Sequence, residues 1–479
     1  MILRTKSLLN LNKNGFLWVL IERNIENEDL NVCYCLNNYA YDSSKEGFLG
    51  EGSYFRAYRG RKLFSFNRDS VENVLRTLKV GLLSCLKSHK VVLVRGDNKK
   101  EILSVYEKVV LEYLILRKLN HFSIPRTFGL LEIPESNQIV LIHEYLPFQL
   151  MYWNKNGQVY SIIKGSKKIL VYNERISIFI LYQLLISVEY LHENKIIHRD
   201  IKPENIFLTE RIDELDMVSI GSLNILDEDE EEDESEEFFE EKCLWEDAPI
   251  FDSVSQAKTE QIRLLRGRGE KRRGKKGELR EAGERKEEEG EQKGEGKGEM
   301  EEEKDTDEDE EEENLDSSLK RVLDFKEYRD YFRKDFLQKS EEPDPNLKFN
   351  SRLLVKLSDF NSCIIVDDSG LIYDSGSKLF APPECFKLEC TKDGVDGYKR
   401  DVWSIGCVMY CILNGKPPFF GKDTRELLKS IRENSSNLVF HREDISMETR
   451  KLIEDMLSLD PVNRVSIKDA KERVMKMLN

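Results

Sequence analysis

The sequence predicts an α+β fold in two parts, separated along the chain by a long acidic insertion. Three observations predict it: strand-like segments with one helix from about Lys45 to Leu146, mostly helical periodicity in the second folded half, and a Glu-, Lys- and Gly-rich tract between Asp227 and Glu313. The chain therefore divides into an N-terminal extension (1–44), a first folded part (45–208), an insertion (209–350) and a second folded part (351–479).

Taken in order, FLGEGSYFRAYRG reads as a strand, a glycine turn and a second strand. SVYEKVVLEYLILRKL has the i, i+3, i+4 apolar repeat of a packed helix, and QIVLIHEYL is a short buried strand. From Asn173 a helix with Ile178, Leu181, Leu185, Val188 and Leu191 on its apolar face runs toward IIHRDIKPENIFL. After Thr209 the composition collapses; segments such as KGEGKGEMEEEK have too little apolar surface to offset the entropy of ordering, so the insertion is expected to be largely disordered. One piece of it differs, since Leu319, Val322, Leu323, Phe325, Phe332 and Phe336 recur at mostly helical spacing. It either docks or simply leads back to the core.

The chain has 479 residues and a formal net charge of −16, with the acid concentrated in the insertion. That balance gives no electrostatic footprint for nucleic acid. Nine cysteines without CxxC pairs predict a reducing compartment and buried thiols, with no disulfide or zinc framework. The apolar run FLWVLI near the N-terminus is too short for a secretory or membrane segment, so an intracellular protein, cytoplasmic or nuclear, with no membrane contact is expected.

The chemistry concentrates in HRDIKPEN. Asp200 could accept a proton from a hydroxyl, Lys202 could balance charge on a transferred phosphoryl group, and Asn205 could give Mg²⁺ a neutral oxygen. Asp359, ending LLVKLSD, could be a second metal ligand, and Gly50 and Gly52 allow backbone to approach phosphate.

In this order the pieces resemble the eukaryotic Ser/Thr protein kinase signature: GEGSYF, a strand lysine, Glu112, HRDIKPEN, DFN at Asp359 to Asn361 and PPE at Pro382 to Glu384, followed by DVWSIGC and LDPVNR. The resemblance spans about Lys45 to Leu208 and Arg352 to Leu478. It implies the two-lobed protein kinase fold, an antiparallel sheet plus one helix in the N-lobe and a mainly helical C-lobe. It also implies transfer of the ATP γ-phosphoryl group to Ser or Thr of a protein substrate, with ATP and Mg²⁺ as cofactors. By that resemblance Asp200 is the base, Lys202 its catalytic partner, and Asn205 and Asp359 hold metal. Gly50, Gly52, Lys79, Glu112 and the backbone of Glu144 and Leu146, in a hinge near 144–147, hold the nucleotide. His143 takes the gatekeeper position, His198 and Phe360 join a hydrophobic spine, and Glu384 pairs with Arg464. Ser377 contacts Asp200 and Lys202, while Ser369, Tyr373 and Ser375 are phosphorylation candidates that Arg199 could bind.

The strand lysine is open from the residues alone. The spacing to Glu112 in a typical kinase puts VVLVR in the strand, with Arg95 in the lysine's place. A narrower resemblance, to the calmodulin-dependent kinase kinases and the fungal kinases that activate AMP-activated kinase, is carried by LNNY, VYEKVVLEYLILRKLNH, EIPESNQIVLIHEY and GYKRDVWSIGCVMYCILNGKPPFFG. It implies an insertion before the helix, which makes TLKV the strand and Lys79 the lysine, and it implies the activation loop of another kinase as substrate. No regulator is legible. Two departures from the family pattern, Phe55 for the third loop glycine and Asn361 for the DFG glycine, with the open lysine keep a pseudokinase scaffold as an alternative, and the mixed charge of the insertion keeps an interaction protein with a vestigial enzyme as another. Asn tolerates left-handed backbone, which makes Asn361 the milder change.

Overall fold

The computed structural model describes residues 10–11, 17–22, 32–36, 39–42, 45, 47–62, 74–94, 100–133, 136–222, 322–324, 326–333, 353–373, 378–387, 394–435 and 437–478. These belong to one compact unit, residues 1–232 with 316–479.

Among the described residues, nine strands form one antiparallel sheet in the N-terminal half. In chain order they are β1 (Asn10–Leu11), β2 (Leu17–Glu22), β3 (Val32–Leu36), β4 (Tyr39–Asp42), β5 (Phe48–Glu51), β6 (Phe55–Lys62), β7 (Val74–Leu82), and, after a hairpin described next, β10 (Thr127–Ile133) and β11 (Gln138–Glu144). The sheet runs β1-β2-β3-β4-β6-β7-β11-β10, with β5 pairing β6. The N-terminal extension is thus part of the sheet, joined where Tyr39 faces Lys62. β8 (Lys90–Val94) and β9 (Lys100–Ser104) form a separate hairpin, preceded by the short helix α1 (Leu83–Ser88). VVLV is therefore a strand, but outside the central sheet.

The helix α2 (Val105–Lys118) starts at a capping box. Ser104 Oγ accepts from the Glu107 N–H at 3.1 Å, and the Glu107 carboxylate accepts from the Ser104 N–H at 2.6 Å. Its apolar face, including Val105, Val109 and Ile115, is buried.

The C-terminal half is built on α3 (Glu174–Glu193), capped by Asn173. This helix is long and apolar enough to cross a membrane, yet most of it is buried by its neighbours. The helical positions read from the sequence, Ile178 to Leu191, are all buried. Strand Ile206–Leu208 pairs with Val355–Leu357, so the insertion leaves and returns through one antiparallel hairpin. A long loop is tolerable there, because closure entropy grows only by about 0.6 kcal/mol per doubling of length.

The insertion begins in an ordered state. Strand Met217–Ser222 pairs with Lys168–Tyr172, so the change in composition after Thr209 does not end the fold. A helix, α4 (Lys326–Arg333), follows later, and its buried side chains are Tyr328 and Tyr331. Phe332 is only partly buried, and Leu319, Phe325 and Phe336 lie outside the described residues. Among the described residues the remaining α-helices are α5 (Gly397–Asn414), α6 (Thr424–Asn434), α7 (Met447–Met456) and α8 (Ile467–Leu478).

Cys385, Cys407 and Cys411 are free and buried, and Cys363 is free and partly buried. Cys85 departs from the expectation of thiols throughout, being disulfide-bonded.

Candidate active site

Lys79 sits in β7, opposite Ala57 of β6 and Leu141 of β11. That register aims it from the centre of the sheet, whereas Arg95 lies outside the described residues. Its ammonium is 3.9 Å from Oδ1 of Asp359. Glu112, on the facing side of α2, is buried, and that burial pushes its carboxyl up to about 7 against the pull of the Lys79 charge. Among the described residues no ion pair joins Lys79 to Glu112.

Gly50 lies in β5 and Gly52 opens the turn to β6, where the Gly52 N–H donates to the Phe55 carbonyl at 2.8 Å. A Cβ on Gly50 would meet no protein atom within 4 Å, so packing within the chain does not demand glycine there. Phe55 turns inward instead of occupying the loop tip. Its ring lies over Gly81, where an added Cβ would come within 2.9 Å of it. Sequence reasoning missed this compensation, since Gly81 signals it only as a glycine inside a strand.

The catalytic-looking loop is held from below. Asp401, fully buried on α5, accepts from the backbone N–H of His198 at 2.9 Å and of Arg199 at 3.0 Å, with His192 Nε2 at 3.1 Å. Burial alone would raise the Asp401 carboxyl, but the His192 bond and the nearby positive charges hold it below its ordinary value. Arg199 adopts a left-handed backbone at φ 64°. Such strain persists only where surrounding bonds over-determine it, and Asp401 supplies them.

Within the loop, Lys202 Nζ donates to Asp200 Oδ2 at 2.9 Å. The Asn205 amide nitrogen donates to the same oxygen and to the Asp200 carbonyl, each at 2.9 Å. Burial lowers the Lys202 ammonium, but Asp200, with Glu204 and Asp359, more than restores it and leaves it raised. The other carboxylate oxygen, Asp200 Oδ1, is buried with no hydrogen-bond partner among the described residues. A buried acceptor left open is costly unless something else fills it.

Asp359 has φ 66°, left-handed backbone in a non-glycine residue. Asn361, by contrast, lies in a 3-10 turn, Phe360–Ser362, and is absent from the described positive-φ residues. The replacement of glycine is therefore tolerated because this position needs no left-handed geometry, and not because Asn tolerates it. The Phe360 ring meets His198 edge-on, centroids 4.9 Å apart.

At the hinge, the Glu144 carboxylate is held by Lys356 at 3.0 Å and by the Arg126 N–H at 3.1 Å. The Glu144 backbone N–H is taken as well, donating to the Arg126 carbonyl at 2.8 Å. The Leu146 N–H makes no backbone hydrogen bond among the described residues. His143 is buried beside Lys79, which with burial holds its imidazole well below the usual range, and its Nδ1 meets Thr127 Oγ1 at 3.0 Å. Further down, Arg464 grips Glu384 in a bidentate pair, at 2.7 and 3.2 Å.

Of the activation-segment residues, Ser375 and Ser377 lie outside the described residues. Ser369 is turned onto Asp367, its N–H 2.9 Å from Oδ1. Arg199 Nε donates to the Ser362 carbonyl at 2.7 Å, inside the protein.

The sequence matches the family model described as Protein kinase domain over residues 82–235 and 343–475, more than half of the chain. The chain belongs to the protein kinase family. Among its curated relatives are a probable serine/threonine-protein kinase of Dictyostelium discoideum, 34% identical over 130 residues (26% of this chain, 14% of the relative). The serine/threonine-protein kinase apg-1 of Neurospora crassa is 34% identical over 118 residues, 24% of this chain and 12% of the relative. PLK1 of Xenopus laevis is 32% identical over 124 residues, 26% of this chain and 20% of the relative. The chain thus spans a quarter or less of the length of these relatives. A crystal structure of Rad53 1–466 with AMP-PNP superposes with a TM-score of 0.42 at 16% identity, covering 91% of this chain and 65% of that one. Family membership implies that this protein kinase binds ATP.

Proposed function

We propose that this protein kinase transfers the γ-phosphoryl group of ATP to Ser or Thr hydroxyls of proteins. The observation that carries the reading is Asp200, whose Oδ2 is fixed by Lys202 and Asn205 while its Oδ1 stays buried and unfilled. A substrate hydroxyl donating to Oδ1 would be oriented for attack, and Asp200 would take its proton. Lys202, fixed beside Asp200, would balance charge on the transferred group.

Mg²⁺ fits the donors present. The Asn205 amide nitrogen is committed to Asp200, which leaves its oxygen for a metal, and Asp359 offers a carboxylate. Among the described residues no cluster of three or more His, Cys, Asp or Glu forms a self-sufficient metal site, so phosphate oxygens and water would complete the shell. When bound, Mg-ATP supplies the phosphoryl group and neutralises charge on it. Lys79 would contact the phosphates, the open space beside Gly50 would admit them, and the Leu146 N–H would donate to the adenine.

The finer reading, a kinase that acts on the activation loop of another kinase, draws support from the segment between the Lys79 strand and α2. It holds α1 and the β8–β9 hairpin, the kind of insertion that the kinase-kinase resemblance implies. A peptide-array assay comparing the wild type with Asp200→Asn tests both levels. Transfer to Ser/Thr peptides lost by at least about a hundred-fold in the variant is expected. Equal transfer by both proteins would remove Asp200 from the base position, and none by either would favour the scaffold.

A further inference from the structure

The helix α4 comes from the insertion, yet it rests on the helix that carries Glu112 and on the strand that follows Asp359. Val322, Tyr328 and Tyr331 are 1%, 2% and 4% exposed, and the tyrosines stand three residues apart on one face. Tyr331 donates its hydroxyl to the carbonyl of Ile115 at 3.0 Å. That carbonyl belongs to the last turn of α2, where its i+4 partner, the Leu119 N–H, bonds to Leu116 instead. Lys118 Nζ donates to the Phe332 carbonyl and lies over its ring, 5.5 Å from the centroid. The insertion therefore caps the C-terminal end of the Glu112 helix.

The same face of α4 also meets the segment that follows Asp359. It packs on the strand Ile364–Ile365, with Tyr328 in reach of the Ile365 backbone. Ile364 and Ile365 pair in turn with Ile197 and Ile196, directly before His198. One short helix thus spans from the end of α2 to the strand between Asp359 and the activation segment. The arrangement it spans is an assembled one, with Phe360 edge-on to His198 and Asp359 near Lys79.

We propose that residues 322–324 and 326–333 form a built-in brace in which Tyr331 and Tyr328 are positioning residues. They fix α2 against the Ile364–Ile365 strand and so hold Glu112, Lys79 and Asp359 at the spacing that nucleotide binding needs. This rests on the kinase reading for its catalytic consequence, but not for its mechanical one.

The test uses full-length protein carrying Tyr328→Ala with Tyr331→Ala, and separately Tyr331→Phe, which keeps the ring and removes only the bond to Ile115. Three quantities are read: amide exchange in α2 and α3, equilibrium binding of an ATP analogue, and KM and kcat for transfer. The double variant should exchange faster in α2 by about ten-fold or more with α3 unchanged, and raise KM for ATP by a similar factor while KM for peptide holds. Tyr331→Phe should fall between it and the wild type, about two- to five-fold. Wild-type α2 exchange and analogue affinity in Tyr331→Phe overturn the proposal, even if the double variant fails to fold. Faster transfer in either variant also overturns it, because the brace would then be inhibitory. Exchange and analogue binding need no turnover, so a wild type that transfers nothing defeats the kinase reading alone.

Discussion

Lys79 and Glu112 face one cleft from β7 and α2, but the Lys79 ammonium stands 3.9 Å from Asp359, while burial holds the Glu112 carboxyl at about 7. The lysine is therefore engaged with the Asp359 carboxylate, and the helix glutamate sits beside it only partly ionised at neutral pH. Nucleotide phosphates arriving between Lys79 and Asp359 would draw the ammonium toward them, giving Glu112 a reason to ionise and pair with it.

Replacing Lys79 with Met should eliminate transfer, because Met keeps the apolar bulk but offers the phosphates neither charge nor donors. The expected loss is at least about a hundred-fold in kcat/KM, roughly 3 kcal/mol of transition-state stabilisation. Arg95→Met should be mild, with kcat/KM within about three-fold of wild type. Steady-state assays on both variants decide it. A silent Lys79→Met would overturn the assignment.

Glu112 makes stability depend on pH in a defined direction. Its folded carboxyl titrates near 7 and its ordinary value is 4.5, so between those values the folded protein binds more protons than the unfolded chain. Stability from this group is then complete below about pH 4.5 and lost as pH rises through 7, by on the order of 3 kcal/mol in all. Glu112→Gln is neutral at every pH and should flatten the fall. Melting temperatures at pH 6 and pH 8, without nucleotide, measure it, and an identical pH slope in both proteins would contradict the buried carboxyl.

The inward turn of Phe55 predicts a size coupling with Gly81. Gly81→Val would drive a side chain into the Phe55 ring and Leu86, costing about 1–3 kcal/mol and weakening ATP binding through the loop. Phe55→Ala in the same chain should recover most of the loss. A double-mutant cycle by denaturant unfolding tests this, and additive effects would mean that the two positions do not meet.

The acidic tract and the brace should behave in opposite ways. Replacing Leu226 to Glu313 by a short Gly/Ser linker removes residues with little apolar surface to bury, so the melting temperature should stay within about 5 °C and ATP binding should persist. Calorimetry and analogue binding check this. A large fall in melting temperature would show that the tract packs on the folded lobes.

The sequence by itself determined the residue types and the local frames that present them. HRDIKPEN contains its own geometry, since Lys202 and Asn205 are near enough along the chain to bond Asp200. Ser104 and Glu107 likewise announce the start of α2, and the apolar repeat from Ile178 to Leu191 announces a core helix. Such features rest on short-range sterics and hydrogen bonds, which a linear pattern records. Tertiary structure decided what depends on distant partners. The choice of β7 over β8 for the central sheet came from pairing with β6 and β11, because both segments are equally strand-like alone. The left-handed residue fell at Asp359 and not at Asn361, and the Glu144 carboxylate was taken by Lys356, 212 positions away. Tyr331 and Ile115 are separated by 216 residues, and nothing in α4 taken alone points to the carbonyl that α2 leaves open. Contacts of that span follow from which surfaces remain unsatisfied once each lobe has folded, a condition that no local pattern encodes.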